Sequence, residues 1–178
     1  MNAIANLIEN INHKNLWDKE IDLERHDYLK VKGSIDTNIY FVKSGSLRIF
    51  LLDEFEEHTI RFGYKNNLIA SLDSFINEKP SEFYIQALKK TTVKTINKKS
   101  YMAFIESSAE NKKIWVSLLE QLILEQMERE RDILTFSPVD RYQRVLKRSP
   151  QLFQEIPNKY IASYLRMTPE TLSRIKKS

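Results

Sequence analysis

The chain has 178 residues, 42% hydrophobic and 29% charged, with three Gly, five Pro and no Cys, and a formal charge of +4. That length suits one core domain with a small appendage, and the missing cysteines exclude disulfides, thiolate zinc sites, cysteine-ligated iron–sulfur clusters and cysteine nucleophiles. No apolar run approaches the ~20 residues of a membrane helix and no basic-then-apolar leader opens the chain, so a cytoplasmic protein with no membrane partner is expected.

Residues 2–16 predict a short amphipathic helix, with Ile4, Leu7, Ile8 and Ile11 at helical spacing. From about Leu23 to Ile96 the period changes to two. Segments 39–42, 46–52, 58–62, 82–87 and 92–96 are rich in β-branched and aromatic residues and read as strands. Turn signals separate them at Lys32-Gly33-Ser34, Lys43-Ser44-Gly45, Asp53-Glu54 and Gly63, so all three glycines are expected at turns. Glu54, Glu56 and Glu57 read as a solvated hairpin tip. Many short strands at regular spacing predict a closed or sandwiched β unit rather than βαβ crossovers.

Helical spacing returns near Lys98, as a short helix over 100–107 and a long one over 110–134. Twenty-five residues span roughly 37 Å, more than a small β unit can cover. Its apolar stripe includes Trp115, Leu118, Leu119, Leu122, Ile123 and Met127, for which a second copy of the same helix is the simplest cover, predicting a homodimer. Lengthwise packing over its own β unit is the alternative. Ser137-Pro138 breaks the pattern and reads as a hinge.

The last forty residues, 139–178, hold nine Lys/Arg and three acids, hence +6, against −2 for the rest. A basic end on a slightly acidic body is the footprint of a polyanion-binding appendage. Within it, Pro157-Asn-Lys-Tyr-Ile-Ala-Ser-Tyr-Leu165 places Ile161, Ala162 and Leu165 on one helical face. Thr168 as N-cap, Pro169 at the first helical position and Glu170 in the first turn open a second helix, buried through Leu172 and Ile175. Two short helices, a tight turn and basic surroundings predict a helix-turn-helix. The second helix would enter a major groove of double-stranded DNA with Pro169, Glu170, Ser173 and Arg174 facing base edges. Arg174 can donate bidentately to guanine, and Glu170 can accept from a cytosine amino group. Thr168, Lys159, Lys176 and Lys177 suit phosphates.

With these motifs in order, the chain resembles the Crp/Fnr family of bacterial transcription regulators over nearly its whole length. Tyr40-Phe-Val-Lys-Ser-Gly-Ser-Leu-Arg-Ile-Phe50 looks like the family's β-roll signature, and 141–150, 156–165 and 168–175 are similar to its short-tailed branch. The resemblance implies an α+β fold in three parts: a cyclic-nucleotide-binding-like β-roll (a double-stranded β-helix) over 1–108, a long dimerisation helix over 109–136, and a helix-turn-helix over 137–178. It also implies that Glu170 and Arg174 are the base-contacting pair.

Two departures stand out. Cyclic-AMP-binding members carry Gly-Glu and later Arg-Ser in a phosphate cassette; here Ala70 and Ser71, then Ser81 and Glu82, stand at those places. With no guanidinium and an acid at Glu82 to face the phosphate, cyclic AMP and cyclic GMP are expected to bind poorly. Phe62, Phe75, Phe83 and Tyr84 are candidates, with these four, for lining a pocket for some other, unknown effector, core packing being the plainer reading. Arg166 occupies the turn where the family usually has Gly, at a cost of roughly 1 kcal/mol if left-handed, and is a further candidate phosphate contact. With Ser178 directly after the second helix, the β-hairpin wing of longer relatives is not expected.

The reading is a homodimeric regulator of transcription, with RNA polymerase a candidate partner and no cofactor. A β-roll scaffold whose helical tail binds protein is the alternative. An enzyme is not expected: there is no Gly-rich phosphate loop, no metal-spaced cluster and no nucleophile–base arrangement. His13, His26 and His58 each read as surface or satisfied histidines rather than haem ligands.

Overall fold

The computed structural model describes residues 3–54 and 56–177; residue 2, at the start of the predicted N-terminal helix, lies outside them. Helix α1 (Ala3–His13) buries Leu7 and Ile11 completely. Eight strands follow: β1 (Lys19–Leu23), β2 (Tyr28–Lys30), β3 (Asn38–Ser44), β4 (Ser46–Leu52), β5 (Glu57–Tyr64), β6 (Leu68–Ala70), β7 (Tyr84–Ala87) and β8 (Thr91–Asn97), with a short helix α2 (Leu72–Asn77) after β6. They form two antiparallel four-stranded sheets, ordered β1-β8-β3-β6 and β2-β7-β4-β5, which enclose Tyr40, Val42, Leu47, Ile69, Ile85 and Val93. The five predicted strands correspond to β3, β4, β5, β7 and β8. The three that the pattern misses, β1, β2 and β6, are edge strands of only three to five residues, which pair on one side only.

Gly45 has φ +87° between β3 and β4, and a Cβ there would lie 2.4 Å from the Lys90 carbonyl oxygen, so the turn requires glycine. Gly63 corrects an expectation: it lies inside β5, not at a turn. It is needed because Ile69 would sit 2.3 Å from a Cβ. Glu57 is likewise no free tip residue. It opens β5 opposite Leu52 and pairs with the Arg48 guanidinium at 2.6 Å.

Helices α3 (Lys98–Glu106) and α4 (Ala109–Leu134) are capped by the Asn97 and Ser108 side chains, which accept from the Ser100 and Asn111 N–H groups. The broad stripe of α4 divides into two faces. Trp115 and Leu118 pack on the chain's own core, with Trp115 edge-on to Tyr101 at 5.4 Å between ring centres. Leu119 and Leu122 are half-buried beside them. Of the six residues expected at a dimer seam, only Ile123 and Met127 face outward, 60% exposed each, alongside Val116 and Leu124.

At the predicted break, Ser137 caps α5 (Pro138–Arg148) by accepting from the Asp140 N–H, so the chain restarts a helix at once. Helices α6 (Leu152–Glu155), α7 (Asn158–Tyr164) and α8 (Pro169–Ile175) complete a C-terminal head. Ile161, Ala162, Leu165 and Leu172 are fully buried there, and the same cluster includes Phe62 and Leu88 of the β-roll. No described helix is long and apolar enough to cross a membrane.

Candidate nucleic-acid interface

Helix α8 forms as its first residues dictate. The Thr168 hydroxyl accepts from the Thr171 N–H at 3.2 Å and Pro169 occupies the first turn, where its missing N–H costs nothing. With Leu172 fully buried and Ile175 half-buried, Pro169, Glu170, Ser173 and Arg174 are exposed. The Glu170 carboxyl is held below its usual range, first by its own backbone N–H and then by the Thr168 hydroxyl, so it stands ionised as a hydrogen-bond acceptor. Among the described residues the Arg174 guanidinium makes no hydrogen bond or ion pair, leaving its donors available.

The residues expected at phosphates are placed less uniformly. Thr168 and Lys177 are exposed beside the ends of α8. Lys176 donates to Asn158 Oδ1 at 3.0 Å, and Lys159 lies over the Tyr160 ring at 4.6 Å. Arg166 adopts the left-handed conformation (φ +53°) that the turn demands. Its guanidinium, however, meets His58 Nδ1 on β5 at 2.7 Å, while His58 Nε2 contacts Asp53 Oδ2 at 2.5 Å. Arg166 is thus engaged with the β-roll in this arrangement.

That contact belongs to a wider docking of the head on β5. Ser163 Oγ donates to the Glu57 carbonyl (3.0 Å) and accepts from the Thr59 N–H (3.2 Å). Tyr164 packs on Phe62 with ring centres 5.4 Å apart, and the Arg129 guanidinium lies 3.8 Å over the Tyr164 ring. Buried Arg48 is held between Phe50 (3.9 Å) and Tyr160 (4.5 Å), its Nη2 donating to Gln86 Oε1 at 2.7 Å. Between α4 and α5, Arg144 and Arg148 both bind the fully buried Asp132 and also reach Glu128. Sequence reasoning passed over Arg129 and Asp132, although they continue the inward helical spacing of Trp115, Leu118, Leu122 and Glu125. A stripe turning from apolar to charged was the available signal.

A cavity of about 480 Å³ lies between the β-roll, α4 and the head. Of the residues expected to line an effector pocket, Phe62, Ala70 and Phe75 do so. Phe83 packs against the roll's central core, and Tyr84 stacks on Phe50 at 5.0 Å. Ser71 and Ser81 are buried and bonded to each other at 3.0 Å. The expected acid at this place is not Glu82, whose side chain is exposed and pairs with Lys32 at 2.8 Å. It is Asp73: its carboxylate accepts from the Ser81 hydroxyl (2.9 Å) and the Glu82 N–H (3.1 Å). The helical turn of α2 carries Asp73 inward, while the segment before β7 turns Glu82 to solvent.

Among the described residues no group of three or more His, Cys, Asp or Glu could hold a metal ion. No curated protein matches the sequence. The fold recurs in FixK2 from Bradyrhizobium japonicum, with a TM-score of 0.72, 16% identity and coverage of 89% of this chain and 82% of that one. It recurs in a mutant of CooA from Carboxydothermus hydrogenoformans, with a TM-score of 0.70, 16% identity and coverage of 96% and 82%. A third match is CLP of Xanthomonas campestris, described as a c-di-GMP responsive global regulator, with a TM-score of 0.66, 15% identity and coverage of 97% and 90%. At such identities the likeness carries the fold. Residues 20–108, half of the chain, match the family described as Cyclic nucleotide-binding domain, and the chain belongs to that family.

Proposed function

We propose that the chain is a sequence-specific DNA-binding regulator of transcription of the Crp/Fnr type, acting as a homodimer on imperfect palindromes. One observation carries the reading: α8 buries Leu172 in the head and leaves Glu170, Ser173 and Arg174 open on a strongly basic segment. The fold shared with a global regulator supports it. The outward face of α4 (Val116, Ile123, Leu124 and Met127) is the surface for the second copy, continuing in Leu134, which is 82% exposed. A twofold pair would set two α8 helices about 34 Å apart, one turn of duplex.

Fluorescence anisotropy with a selected palindromic duplex, across a salt series, tests the reading. Binding is expected to weaken steeply with salt, as counterions released by the basic head require. Arg174→Ala is expected to lose about 1–3 kcal/mol of discrimination at one base pair of each half-site. Equal loss on every sequence would make Arg174 a phosphate contact, and no binding to any duplex at low salt would turn the basic tail toward a protein partner.

The β-roll in this reading does not take cyclic nucleotides. Asp73 already occupies the Ser81 hydroxyl and the Glu82 N–H. A cyclic phosphate would have to displace that carboxylate and then face it at short range. Calorimetric titration with cyclic AMP or cyclic GMP is expected to show no saturable heat; a micromolar isotherm would contradict this.

A further inference from the structure

The head meets the β-roll through one charged contact as well as through apolar packing. His58 of β5 stands with its ring between a carboxylate and a guanidinium: Nε2 lies 2.5 Å from Asp53 Oδ2, and Nδ1 lies 2.7 Å from Arg166 Nη1. A guanidinium has hydrogen-bond donors and no acceptor, so Nδ1 must present its lone pair. Nε2 therefore carries the hydrogen and donates it to Asp53. Only the neutral ring suits both neighbours; a proton on Nδ1 would set donor against donor and cation against cation. The surroundings sharpen that choice. Asp53 comes from the turn between β4 and β5, where it also accepts from the Glu56 N–H at 2.9 Å. Glu57 is taken by Arg48, and apolar Leu51 stands opposite His58 on β4. Arg166 comes from the turn between α7 and α8, its carbonyl bound by Arg141 Nη2 of α5 at 3.3 Å. Arg129 of α4 is near enough to Arg166 for the two cations to repel. A further positive charge on His58 adds to that repulsion, while Asp53 remains as its partner. The His58 side chain is 19% exposed, so a proton can reach it.

We propose that His58 is a pH-dependent clasp on Arg166: the neutral ring holds the guanidinium on the β-roll, and the imidazolium pairs with Asp53 and releases it to a DNA phosphate. The clasp is closed above the range of about pH 5–8 in which an imidazole changes charge, and it opens as the pH falls through that range. The bonds of Ser163 and the packing of Tyr164 on Phe62 do not involve the ring, so the head stays seated and a single side chain changes place. Phosphate contacts read no sequence, so the gain applies to any duplex. The release to phosphate rests on the DNA-binding function proposed above.

The test is anisotropy titration of the full chain with the palindromic duplex over a salt series, at about pH 5.5 and about pH 8. In the native protein the dependence of log Kd on log salt is expected to steepen at the lower pH by about 0.9 for each subunit bound, one phosphate gained, and affinity at fixed salt to rise about fivefold or more. A glutamine amide accepts and donates like the neutral ring and takes no charge, so His58→Gln is expected to keep the shallow slope at both pH values. His58→Lys, a fixed cation without an acceptor, is expected to show the steep slope at both. Arg166→Gln is expected to be shallow throughout, with His13 and His26 left as internal controls. The two His58 variants move in opposite directions, which separates the clasp from a general loss of fold. An unchanged slope in the native protein, or a pH response that survives either glutamine substitution, would overturn the proposal and leave DNA binding in place. A native protein that binds no duplex at either pH would remove the reading of function itself, and this proposal with it.

Discussion

Replacing Ile123 and Met127 together by Glu is expected to convert the protein to a monomer at micromolar concentration and to lower its affinity for a palindromic duplex at least about a hundredfold. Both side chains are 60% exposed on the outward face of α4, so the isolated subunit loses little. In the proposed homodimer, however, each substitution acts twice across the twofold axis. It removes the burial of apolar side chains worth about 1.5–3 kcal/mol each, and it sets like charges against one another in a desiccated seam. Sedimentation equilibrium reads the outcome directly. Leu118→Glu is the informative contrast, because Leu118 packs on the subunit's own core beside Trp115; that variant is expected to unfold rather than dissociate. A double variant that keeps the dimer mass would remove α4 as the seam.

Asp132→Ala is expected to destabilise the fold by about 3 kcal/mol. Asp132 is fully buried and receives Arg144 Nε at 3.1 Å together with the Arg148 guanidinium, clasping α5 to α4. Removing the carboxylate leaves both guanidiniums in partly dry surroundings. Their side chains are 26% and 29% exposed, which lets water relieve part of the loss and sets the figure at the low end of the range for broken buried pairs. For a chain of this size that corresponds to a fall in Tm of roughly 6–12 °C, with faster proteolysis at residues 135–137. Glu128→Ala, at a carboxylate whose side chain is 42% exposed, is expected to cost less than about 1 kcal/mol. Equal, small losses in the two variants would show that the clasp does not hold the head.

The elements that were legible in the sequence are those whose signal is local. Thr168-Pro169-Glu170 starts a helix by its own chemistry, and strands β3, β4 and β8 are seven-residue runs rich in β-branched and aromatic or aliphatic residues, interior to their sheets and largely buried. The edge strands β1, β2 and β6 escaped because three to five residues are too few to display a period, whereas β5, also at an edge, runs for eight. The stripe of α4 was visible as apolar, but spacing alone does not say which part meets the subunit's own core. Trp115 and Ile123, eight residues and about 80° of helical rotation apart, fall at the inward and outward edges of that one stripe. Least legible were Arg48, Arg61, Arg129, Asp73 and Asp132. Each is a charge whose place depends on the packing of another element around it, such as Tyr160 beside Arg48 or Tyr164 beside Arg129. The acid at the cassette shows the same limit: the resemblance places Glu82 there, yet Asp73 supplies the carboxylate because α2 points it inward.

The bonds between Ser163, Arg129 and β5 have a consequence for the solubility of the β-roll itself. β5 is the last strand of its sheet, and its rim presents main-chain groups that no further strand satisfies. The Glu57 carbonyl, the Thr59 N–H and the Thr59 carbonyl are instead met by one serine hydroxyl and one guanidinium. The head and the C-terminal part of α4 therefore cover an otherwise open template for intermolecular strand addition. A β-roll freed of its head would present that template to its neighbours, so the appendage that carries the polar helix also keeps the larger part of the molecule from self-association.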